Sequence, residues 1–173
     1  MCAFPIHLWT LILGLRDVSW VTERTNIWDT IGVISYGLLF ALGESLLIFL
    51  VVALLGLLLP SLWGIDKRIG FLSLLVLLAS FWAIVSQLLF LWNVGLPAGV
   101  IEFFRNSHHP LRILYATSLS VVTVAILMPV YWFLRVQNAL AIMQNLIERL
   151  SLLTMFYLFF DVLGIMIILI RNL

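Results

Sequence analysis

Four apolar runs dominate this chain, at residues 31–59, 70–92, 113–134 and 151–170. Each is long enough for a helix to cross about 30 Å of hydrocarbon, which takes roughly 20 residues. Nothing else in the sequence restricts the fold as much. In lipid every backbone amide must be satisfied within the segment, so the runs are expected to be helical. Lys, Arg, Pro and Gly collect between them, as in Pro60, Gly64, Asp66, Lys67 and Arg68. The fold class expected is an all-α integral membrane protein, a bundle of four transmembrane helices.

Composition agrees with lipid as the solvent. The 173 residues are 64% hydrophobic and 10% charged, whereas soluble domains are nearer half and a quarter. No stretch between the runs could form a separate soluble domain, so 1–173 reads as a single membrane domain. The net charge of +1 offers no basic field for nucleic acid. Cys2 is the sole cysteine, so no intrachain disulfide can form. The first fifteen residues lack the basic start of a cleaved signal, and neither end carries a lipid-anchor signature.

The segments outside the spans add detail. Residues 4–15 are too short to cross as an ordinary helix and read as interfacial or re-entrant, with Pro5 in the opening turn. Residues 1–30 together form an N-terminal segment suited to the headgroup layer, with Trp20 and Trp28 as half-wet aromatics. Asn26 with Asp29 three residues on offers a cap to the first span. A short helix is expected over residues 98–104. Before the fourth span, Val136, Leu140, Met143, Ile147 and Leu150 make an apolar stripe, with Gln137, Gln144, Asn145 and Glu148 elsewhere. The fourth helix should therefore start near Asn138, with an amphipathic extension over 138–150 that outruns the bilayer. Pro129 is expected to kink the third span.

Orientation stays open. Arg16, Arg24, Arg105, Arg112 and Arg171 fall on one side, and Lys67, Arg68, Arg135 and Arg149 on the other. That split is too even for a bias in cytoplasmic charge. Trp28, Trp63, Trp92 and Trp132 lie near span ends and read as an interfacial belt.

The polar residues inside the spans are the candidates for function. Asp161 lies midway along the last run and Glu44 within the first. A mid-bilayer acid costs about 3 kcal/mol to insert, which nearly twenty apolar neighbours at a few tenths each offset. With the first and fourth spans antiparallel, the two acids are expected at similar depth, as a proton or cation site with Gln87 and Ser86, or as interhelical hydrogen bonding. Gly37, Ala41 and Ser45 recur every four residues and mark a helix-contact face. Arg105, His108, His109 and Arg112 are candidate contacts to lipid headgroups. His7, in an apolar segment, could ligate a haem or chlorin; no metal-ligand spacing appears elsewhere. No catalytic set, phosphate loop or dinucleotide fingerprint is present.

Three functions fit these residues. The first is a non-catalytic structural or accessory subunit of a larger membrane complex, its partners the bilayer and other subunits or copies of itself. The second is a proton- or cation-coupled carrier using Glu44 and Asp161. The third is a lipid-headgroup-binding protein or enzyme.

Overall fold

The computed structural model describes residues 1–91, 94–136 and 138–173. Among these residues six helices make up the fold: α1 (Ala3–Arg24), α2 (Ile27–Leu58), α3 (Ile65–Leu91), α4 (Ala98–Arg105), α5 (Pro110–Arg135) and α6 (Ala139–Asn172). No strand occurs among the described residues. Helices α2, α3, α5 and α6 are long and apolar enough to cross a membrane, as the four runs predict. The short helix of the second connection is α4. The expectations for Trp92 and Gln137 lie outside the described residues.

The α1–α2 hairpin departs from expectation. No break follows Leu15; α1 is a single 22-residue helix, about 33 Å long at 1.5 Å per residue. Arg16 interrupts the apolar run without interrupting the helix, because arginine is a good helix former and its exposed side chain meets Asp17 at 2.7 Å. Pro5 is harmless in the first turn, where its missing N–H would have no intrahelical partner. A tight turn at Thr25 and Asn26 then reverses the chain. The Asp29 N–H donates to Asn26 Oδ1 at 2.8 Å, and Asn26 Nδ2 donates back to the Asp29 carboxylate at 2.8 Å. This reciprocal cap starts α2 where the sequence places it.

Helix α1 then runs antiparallel along α2. The hydroxyls of Thr22 and Thr30 lie 3.0 Å apart near the turn. Farther along, a Cβ placed on Gly37 would sit 3.4 Å from the Thr10 methyl. At the far end His7 faces Ser45 at 3.5 Å. The first turns of α1 therefore lie level with the middle of α2.

Helix α6 packs antiparallel on the neighbouring side of α2. A Cβ on Gly164 would stand 3.4 Å from the Ser35 carbonyl oxygen, so the backbones approach closely through small residues. Arg171 closes that end, donating to Asp29 at 2.7 Å and to the Trp28 carbonyl at 3.0 Å. The 34 residues of α6 span about 51 Å, against about 30 Å of hydrocarbon. Asn138 precedes the helix as expected but makes no side-chain cap.

A second core forms at the opposite end. Phe133 of α5 with Ala139 and Met143 of α6 is buried against Phe71, Leu74 and Leu77 of α3 and Leu140 of α6. The stripe at the start of α6 thus has a partner within the chain. Gln144, Asn145 and Glu148 remain exposed, on the opposite face.

Candidate functional site

The deepest polar group in the protein is a pair that joins the two ends of the sequence. His7, on the second turn of α1, is fully buried, and Asp161, about two thirds of the way along α6, is 2% exposed. His7 Nε2 lies 3.0 Å from both carboxylate oxygens of Asp161. Its Nδ1 lies 2.8 Å from the Ala3 carbonyl oxygen one turn back. Tyr157, one turn before Asp161 on α6, stacks on the imidazole at 5.6 Å between centroids and 19° between planes. The tyrosine and the acid, four residues apart, share a helix face and hold the ring between them. Ser45 closes the other side, its hydroxyl donating to the Ala41 carbonyl at 2.6 Å and its oxygen 3.5 Å from Nδ1.

Hydrogen bonding fixes the proton count. A carbonyl oxygen only accepts, so Nδ1 carries a hydrogen and donates it to Ala3. The contact between Nε2 and Asp161 then needs one further hydrogen. On the ring it makes an imidazolium beside a carboxylate; on the acid it makes two neutral groups. Both arrangements sum to zero charge and hold a single exchangeable proton across a 3.0 Å contact. Zero net charge, with each polar atom engaged, is what lets such a pair exist in a low-dielectric interior. Both ring nitrogens are engaged and the ring is buried, so His7 as placed here presents no free nitrogen to a haem or chlorin. Among the described residues no group of three or more His, Cys, Asp or Glu gathers as a metal site.

The expected pairing of the two acids is not made. Glu44 follows Gly43 and precedes Ser45 on α2, so its side chain leaves the helix about 100° away from that of Ser45. Ser45 faces His7; Glu44 is exposed to a groove along α1, α2 and α3. Gln87 of α3 lines the same groove. Ser86 turns to its own helix, donating to the Ala83 carbonyl at 2.9 Å. Glu44 has no hydrogen-bond or ion-pair partner among the described residues.

Gly37, Ala41 and Ser45 lie toward α1, with Ala41 and Ser45 buried. Arg105, His108, His109 and Arg112 lie around the α4–α5 turn, all exposed, with no side-chain hydrogen bond among them. His109 precedes α5 without capping it through its side chain.

The link between His7 and Asp161 is the contact that sequence does not reveal. Two lone polar residues in apolar segments were a signal that each needed a partner. An interfacial or re-entrant reading of residues 4–15 does not fix the depth of His7, so sequence alone does not match it to Asp161.

The class this fold and site define is an all-helical protein, over its described residues, with four helices long and apolar enough to cross a membrane and a polar pair sealed between the first helix and the last. No protein-family model matches the chain, and no curated protein or solved structure is similar to it.

Proposed function

We propose that the chain is a non-catalytic structural or accessory subunit of a larger membrane complex, joined to its partners along α5. The observation that supports this reading is the state of that helix. Of its 26 residues only Phe133, near the C-terminal end, is buried. Tyr115, Leu119, Val124 and Met128 are each more than half exposed, and the hydroxyls of Thr117, Ser118 and Ser120 only bond back to carbonyls of their own helix. Membrane helices associate through close packing and interhelical hydrogen bonds. A span that makes so little of either within its own chain is suited to making them with another.

In the same reading α1 dips into the bilayer beside α2, carrying His7 to mid-depth, and the first turns of α6 extend past the hydrocarbon. The sealed His7–Asp161 pair serves as an internal lock that fixes α1 on the bundle. Extraction from its native membrane in a mild detergent, followed by mass measurement, tests the proposal. A particle heavier than one chain, reduced to one chain by bulky substitutions along α5, is the expected result. A stable monomer at native expression would overturn it.

One observation favours a carrier as a second reading: the unpartnered Glu44 in its groove. Here Glu44 alone exchanges with the surroundings and Asp161 does not. Flux into liposomes should then fall with Glu44→Gln; unchanged flux removes this reading.

A further inference from the structure

Three cavities run end to end along the α1–α2–α3 groove. One of about 510 Å³ extends from Asp17 and Thr30, beside the α1–α2 turn, to Glu44 and Gln87. A second, of about 180 Å³, shares Trp9, Thr10, Glu44 and Gln87 with it. A third, of about 360 Å³, shares Ile48, Ser80 and Ala83 with the second and continues to Leu55 and Leu72. By helical rise, Thr30 to Glu44 spans about 21 Å and Glu44 to Leu55 about 16 Å.

The groove changes character along its length. Toward the α1–α2 turn it carries Thr10, Asp17 and Thr30; beyond Ile48 it is lined almost wholly by aliphatic side chains. Glu44 stands at the junction, exposed to the cavity and unpaired among the described residues, and Gln87 lines the same two cavities. A carboxyl at this depth is costly unless something meets it. Asp161 has His7; Glu44 has only the cavity. Trp9 lines both cavities that meet at Glu44, and its ring offers a face to a cation.

We propose that this groove binds a lipophilic ammonium ion, with the charged nitrogen at Glu44, Gln87 and Trp9 and the hydrocarbon along the aliphatic arm toward Leu55 and Leu72. Charge complementarity at Glu44 selects the head, and the aliphatic lining beyond Ile48 selects the hydrocarbon tail. The site lies away from α5, so it stands or falls separately from the assembly reading.

The test uses the full chain in lipid nanodiscs with dicyclohexylcarbodiimide, an apolar reagent that converts an accessible protonated carboxyl into a stable N-acylurea. Glu44 is expected to be labelled and sealed Asp161 spared, as read by peptide mass mapping. Dodecylammonium should slow labelling of Glu44 by about tenfold where dodecanol slows it by less than about twofold, the margin a charge-assisted contact gives. Gln87→Leu should weaken that protection, read as the ratio of labelling rates of the same variant with and without dodecylammonium. Equal protection by the alcohol would overturn the proposal, because the groove would then recognise only a chain. Equal protection by ammonium chloride would overturn it too, in favour of a small-cation site. So would an unlabelled Glu44, or labelling of Asp161 in its place.

Discussion

The two packing regions of this protein solve different problems. Where α1, α2 and α6 meet, buried polar atoms have named partners and small residues bring backbones together, as at Ser35 and Gly164. Where α3, α5 and α6 meet, a few apolar side chains around Phe133 and Met143 hold one end, and most of α5 is left uncovered. In lipid, apolar surface gives helices no preference for each other over acyl chains. The polar region therefore determines how this chain folds on itself, and the apolar region leaves room for what it meets.

That contrast can be broken in a graded series. The largest loss of stability should follow His7→Leu, which strands the Asp161 carboxyl and removes the stack on Tyr157. About 3 kcal/mol is expected, the upper end for an unsatisfied buried polar group, measured by unfolding in mixed detergent micelles. Gly164→Leu should come next. A branched side chain there has the Ser35 backbone in its path, and overpacking costs about 1–3 kcal/mol; Gly164→Ala, meeting only ordinary contact distances, should be close to neutral by the same assay.

A smaller effect is expected from Gly32→Ala. Its Cβ would collide with the Arg171 guanidinium, which must then leave Asp29 and the Trp28 carbonyl. The ion pair is partly exposed, at 26% and 35%, so its loss should cost less than about 1 kcal/mol. Smallest of all, replacing Leu119 and Met128 with alanine should leave monomer stability within about 0.5 kcal/mol while lowering the mass of the native assembly. A large stability loss there would erase the distinction between the regions.

Much of the fold was readable because hydropathy over twenty residues is a strong signal. The four spanning helices, the short α4, the Asn26–Asp29 cap and the start of α6 all came from local patterns. What failed was nonlocal. Arg16 looks like the end of a hydrophobic run, yet an exposed arginine suits a helix interior and α1 passes through it. Local patterns place Asp161 near Glu44, Gln87 and Ser86 at similar depth, and they carry no information on the pairing with His7 across 154 residues. The stripe from Leu140 to Met143 was legible as a packing face, but its periodicity carried no information that α3 would cover it. The side of α2 marked by Gly37, Ala41 and Ser45 was likewise visible as a contact face, while the helix against it, α1, was not.

The central claim is that His7 and Asp161 are one unit. A double-mutant cycle with His7→Phe, Asp161→Leu and both together, read as unfolding free energy in micelles, tests it most directly. Single substitutions leave a polar group without its partner, whereas the double variant leaves none. The pair should therefore show a coupling energy of at least about 1 kcal/mol, with the double variant more stable than the sum of the single losses implies. Losses that add to within about 0.5 kcal/mol would contradict it.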